Sequence, residues 1–332
     1  MTDVTTILQN PVPLYLLGVI PALFVVGDAP FSTLTSKILH ILVCLGCPFT
    51  PLFYFLHVKT GANEGGDAIP DCCAYWLPKD KFQFHVPNRP ENNIVNMWPF
   101  GYKIKKLDFT NIPNIKTRLV ECVTNVSFLD RFVCFVSGYF VFVGFIIGIY
   151  RAVGPCQQQD WPAIPLLLVW TLPILVIRVC KGKVVVRDPR EALKLVEGNI
   201  RVERLAEDKT RDIRGKVLAT LLISIVIHWL TVVLTYYTKP VGFGCRSIGL
   251  SVVAGIWSFN SILCFVYYYL FNHSPPGVDT SPVYLWVCTC GVAVGAFFIF
   301  FSVISNNSLW WVIMFGNSCD VSSCLNSDNA QE

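Results

Sequence analysis

His228 is the side chain in this sequence whose type and depth best suit it to chemistry. It lies eleven residues into an apolar run from Val217 to Tyr237, beside Trp229. An ionisable group in the middle of a run long enough to cross a bilayer is a functional candidate by default. An imidazole on a hydrated path would titrate near its reference pKa of about 6.5. The commoner case is a neutral ring bonded to a hydroxyl or carbonyl of a neighbouring helix. His40, His57, His85 and His273 are scattered without metal-ligand spacing.

The fourteen cysteines include Cys44/Cys47 and Cys288/Cys290, which have no nearby histidine or second pair at zinc spacing, so neither metal nor cofactor is expected. Cys319 and Cys324 near the C-terminus, and Cys72/Cys73 with Cys122, are the candidates for disulfide bridges. Walker, zincin and nucleophile-elbow motifs are missing, so no catalytic residue is assigned. No Asp or Glu stands in the middle of an apolar run, which argues against a transporter driven through an acidic relay. A lipid-modifying enzyme would have to work with loop residues such as His85 or Asp71.

The elements that must carry these residues are set by Lys181–Lys216. This stretch holds eleven Lys/Arg and seven Asp/Glu between runs with almost no charge. A basic segment between spanning-length apolar runs reads as a cytoplasmic loop of a multi-pass membrane protein. Composition agrees: 53% of residues are hydrophobic and 14% charged, where soluble domains carry about 25% charge. The net charge of +4 equals the excess in this one loop, so it reflects topology and not a nucleic-acid partner. Within the loop, Asp188-Pro189-Arg190-Glu191 predicts a helix start, with Asp188 as N-cap and Pro at the first helical position. Leu193, Val196 and Ile200, then Val202, Leu205 and Ala206, extend an amphipathic pattern before a charged break at 207–212.

The expected fold is an all-α integral membrane bundle of about seven spans, with six and eight as neighbouring counts. Residues 1–57 supply two spans, the second bent at Cys47-Pro48 with Pro51 close behind. Residues 58–130 form an aromatic, proline-punctuated loop expected on the membrane interface. Its Phe82/Phe84/Val86 alternation suits a short strand. Residues 131–180 hold spans three and four, 181–216 the basic loop, and 217–304 spans five to seven. Residues 305–332 form an aromatic foot and polar tail. Gly291 and Gly295 make a Gly-x-x-x-Gly, a signal for close helix crossing and not for any particular assembly.

Strict alternation from a cytoplasmic 181–216 places 58–130 and the N-terminus inside, and the joint 28–33 and the tail outside. The partners implied are the bilayer itself and, at 181–216, a cytoplasmic protein or anionic lipid. The leading functional expectation is a non-enzymatic receptor-like or scaffold membrane protein. A facilitative transporter or channel lined by the bent second span and His228 is the alternative, and a lipid-modifying enzyme the third. Polar groups converging on a cavity at His228 would favour the transporter, and a dry helical core the scaffold.

Overall fold

The computed structural model describes residues 14–58, 71–78, 81–85, 94–96, 115–153, 168–194, 200–203, 208–237, 245–270 and 282–304. Helix dominates. A π-helical turn, Leu14–Val19, leads into α1 (Ile20–Val26), followed by α2 (Leu34–Gly46) and α3 (Phe49–His57). A four-residue α4 (Asp71–Ala74) and strands β1 (Phe82–His85) and β2 (Ile94–Asn96) come next. Then follow α5 (Ile115–Glu121), β3 (Val123–Asn125), α6 (Phe128–Val153), α7 (Leu172–Cys180), β4 (Lys183–Val185), α8 (Pro189–Leu193) and β5 (Ile200–Glu203). Three long helices end the described residues: α9 (Asp208–Tyr236), α10 (Cys245–Leu270) and α11 (Pro282–Ile304).

Among the described residues, α6, α9 and α10 are long and apolar enough to cross a bilayer, and the bent α2–α3 pair would make a fourth span. Leu17–Val26, Val169–Cys180 and Val283–Phe297 are shorter apolar helices. Each of the seven expected runs contains helix, and among the described residues three to four of these helices are long and apolar enough to cross. Large side chains such as Phe135, Phe142, Val226, Leu230 and Phe259 are exposed along the long helices, as a lipid-facing belt requires.

The two loops expected on one side are hydrogen-bonded to each other. β1 pairs antiparallel with β2 and parallel with β5, in register Gln83↔Arg201. β3 pairs antiparallel with β4, in register Thr124↔Val184. The second ladder closes the foot of the α6/α7 hairpin, because β3 immediately precedes α6 and β4 follows α7. Val126 N–H donates to Gly182 O at 2.9 Å and extends it.

Three expectations change. The amphipathic helix ends at Leu193, and β5 stands where the helical pattern was to continue. Ile200 and Val202 alternate with Arg201 and Glu203, a period-two pattern that an open strand edge can recruit. Residues 208–212 of the expected charged break are the first turn of α9, which begins at Asp208. In the loop 58–130, Tyr75, Trp76, Leu77 and Phe82 are buried in the protein and not laid on the interface. Trp76 meets Phe31, His40 and Tyr54 at ring distances of 5.4, 5.2 and 5.2 Å. The rest of that aromatic loop lies largely outside the described residues.

The joint 28–33 also moves. Alternation across seven spans separates it from 181–216, yet Arg178 Nη2 lies 2.7 Å from Asp28 Oδ2. Phe31 carries the Arg190 guanidinium 4.4 Å above its ring. At the other end of the α2–α3 pair, Lys181 Nζ donates to Val58 O at 2.7 Å. Both ends of the pair thus meet the same end of the bundle.

Candidate functional site

Two polar centres lie within the helices, and a third holds the loops to them. The first is the break between α2 and α3, which turns the chain by 98°. Thr50 N–H bonds Cys47 O at 3.1 Å instead of continuing the α2 ladder to Gly46. The carbonyl left over would be costly in lipid without a partner. Asn260 of α10 supplies one, donating from Nδ2 to Gly46 O at 2.7 Å. The approach depends on glycine. A Cβ at residue 46 would collide with the backbone carbonyl of Cys288, and one at Gly291 would fall 2.8 Å from Asn260 Nδ2. Thr50 Oγ1 and Tyr284 Oη are 3.2 Å apart, with Cys47, Cys264 and Cys288 buried around them.

The second centre is His228. It is buried against Trp257, with ring centroids 4.9 Å apart, and Trp257 in turn meets Trp170 at 6.2 Å. His228 Nδ1 bonds Ser224 O one turn earlier on α9. The void it lines with Thr231, Leu250 and Ala254 has about 10 Å³. That is about the smallest volume that holds one water. Ser224 and Ser261 hydroxyls, 3.1 Å apart, join α9 to α10 a turn away.

The third centre lies where the loops meet the helix ends. Asp188 caps α8, accepting Arg190 N–H at Oδ1 (3.0 Å) and the Arg190 guanidinium at both oxygens. That grip holds Arg190 over Phe31, which packs on Trp76 and on His40 at 5.5 Å. His57 Nε2 and Thr220 Oγ1 are 2.8 Å apart and tie α3 to α9. Lys181 sits at the C-terminus of α3, where its charge complements the helix dipole. Tyr54 and Phe55 rings stand 6.0 and 5.8 Å away. Burial lowers its pKa to about 8.

The expected bridge is not formed: Cys73 and Cys122 carry reduced thiols, and Cys72 is not disulfide-bonded. Cys73 Sγ donates to Leu119 O and Cys122 Sγ to Arg118 O, both at 3.3 Å. Contact with Cys72 and burial push the Cys73 thiol up, and burial raises Cys122. Neither is therefore poised as a thiolate nucleophile. Cys319 and Cys324 lie outside the described residues, as do the side chains of Asp71 and His85. Among the described residues no group of three or more His, Cys, Asp or Glu is arranged to hold a metal ion.

Sequence reasoning singled out His228 and Asp188 but missed Asn260 and Lys181. The signal for Asn260 was present: a carboxamide deep in an apolar run opposite a Cys-Pro break. Lys181 reads only as one more loop charge until its partner Val58 O is seen. No family model, no curated protein and no solved structure matches this chain.

Proposed function

We propose that this is a non-enzymatic receptor-like or scaffold membrane protein, whose working surface is the cap built from 71–78, 81–85, 115–126, 183–194 and 200–203. The observation that carries the reading is the pairing of two sequence-distant loops into one structure, through β1 with β5 and β3 with β4. A cap fixed by ladders, buried aromatics and the Asp188–Arg190–Phe31 contact is a rigid surface for a partner to recognise. Its Arg187 and Lys194 are exposed. They suit anionic headgroups or an acidic partner segment at the cytoplasmic leaflet.

The reading includes a topology. Asp28 and Val58 both meet the cap end of α7, which supports a re-entrant α2–α3 pair instead of a span. The helix at Leu14–Val26 runs antiparallel to α6, with Ser137 Oγ donating to Gly18 O at 2.6 Å. Its N-terminal end therefore points away from the cap. Six spans plus one re-entrant pair follow, with the cap cytoplasmic by its charge and the start of Leu14–Val26 and the end of α11 on the far side. This replaces the cytoplasmic N-terminus expected from seven spans.

A facilitative transporter is the second reading, favoured by the broken α2–α3 pair, since discontinuous helices form many transport sites. Retention of anionic lipid by purified protein, measured by native mass spectrometry, tests the cap. Arg187→Glu with Lys194→Glu should lower it several-fold, and the wild type should lose it in high salt. Equal retention by wild type and variant would overturn lipid engagement by the cap. Solute flux by reconstituted wild type that His228→Phe abolishes would establish the transporter instead.

A further inference from the structure

Lys181 is a half-buried amine without a counter-charge. Its Nζ donates to Val58 O at 2.7 Å, and among the described residues no carboxylate pairs with it. The rings of Tyr54 and Phe55 wall it at 6.0 and 5.8 Å, and they meet each other edge to face. Tyr54 extends this apolar surface to Tyr75 and Trp76. The titratable groups that face the amine are Cys72 of α4, Tyr54 of α3 and Arg178 one turn earlier on α7, itself engaged by Asp28.

A lysine walled off from water and set beside a second cation is an activated nucleophile, because both features disfavour its charged form. Burial is the larger effect here, with Cys72 opposing it and Arg178 adding to it. At about pKa 8, its neutral fraction near pH 7 is on the order of a hundredfold above that of an ordinary lysine at ~10.4. Depth narrows what can reach it. His57 bonds Thr220, which lies five residues inside the apolar stretch that starts at Gly215. Val58 follows His57, so the amine sits at the edge of the hydrocarbon zone. Val176 and Cys180 are exposed one turn apart at the end of α7 and open that end to lipid.

We propose that Lys181 is a covalent capture site for long-chain alkyl aldehydes dissolved in the bilayer. The inference rests on the membrane reading above and not on what binds the cap. The neutral amine attacks the carbonyl carbon and forms an N–C bond. The aldehyde oxygen leaves as water with the two amine hydrogens, and a C=N bond remains, with nothing oxidised or reduced. Once protonated, the imine gives its one N–H to Val58 O and rests its charge against the two rings, while the alkyl chain lies in lipid.

The test exposes the full chain in phosphatidylcholine vesicles to dodecanal at pH 7 and traps the imine with cyanoborohydride. Protein floated with the vesicles is digested, and adducts are counted at each lysine by mass spectrometry. Lys181 should be labelled roughly tenfold or more faster than the exposed Lys194. That ratio should shrink severalfold by pH 10, where ordinary lysines also lose protons. Lys181→Arg should remove this adduct and leave the others, and the wild-type ratio decides even if that variant fails to insert. Labelling of Lys181 no faster than Lys194 in floated protein overturns the site, as does a ratio that does not change with pH. Protein that does not float overturns the membrane reading, and the site with it.

Discussion

Replacing Asn260 by Leu would leave Gly46 O without its donor at 2.7 Å, in a setting where water is not at hand. We expect a loss of about 1–2 kcal/mol, read as a lower thermal unfolding midpoint in detergent. An unchanged midpoint would mean that the break is satisfied in another way. His228→Gln should stay within about 0.5 kcal/mol of wild type, because an amide N–H can replace the ring's bond to Ser224 O. Lys181 gives a pH signature. Its folded pKa is about 8, below the unfolded value of about 10.4. Between the two the unfolded chain keeps a proton that the folded chain has lost, so stability rises with pH across that window, by at most about 1.4 kcal/mol per unit. Lys181→Met should flatten the rise. A wild type with no such rise from pH 8 to 10 would contradict the burial of this ammonium. Of these residues, His228 was legible because a lone imidazole stands out in an apolar run. Asn260 and Lys181 were not, since their roles depend on carbonyls that only the folded chain brings near.

At the scale of elements, Asp188→Ala should cost about 1 kcal/mol locally. It should speed amide exchange across 189–193 and release Arg190 from Phe31, and unchanged exchange would show that the cap contributes nothing. Cysteines at Gln83 and Arg201, register partners in β1 and β5, should form a disulfide under mild oxidation. Failure to cross-link would remove the parallel pairing. The long helices were readable because apolar length alone defines them. The period-two pattern at Phe82 foretold β1, but nothing local foretold its partner. Ile200 and Val202 fit a helical face and a strand equally well, and a neighbouring edge more than a hundred residues away decided between them. The buried Tyr75-Trp76 segment was misjudged for a related reason. Aromatics beside prolines suit the interface and a plug between helices alike, and composition does not tell the two apart.

For the whole molecule, the two large loops pair through strand ladders, and charge and hydropathy led to the expectation of a membrane protein, which agrees with three to four helices long and apolar enough to span. What they could not supply was the path of residues 28–58. A run of 24 residues from Leu34 to His57 is long enough to span, and only the contacts of its two ends point to its entering and leaving together. The most direct test is labelling with a membrane-impermeant maleimide in sealed cells. Single cysteines are placed at Ser32, Thr117, Lys194 and Asn326, in a background with Cys156, Cys180, Cys245, Cys290, Cys319 and Cys324 changed to serine. The account predicts that Ser32, Thr117 and Lys194 behave alike, unlabelled until the membrane is permeabilised, while Asn326 is labelled in intact cells. Labelling of Ser32 in sealed cells with Lys194 still protected would contradict it, and would restore α2–α3 as a true span.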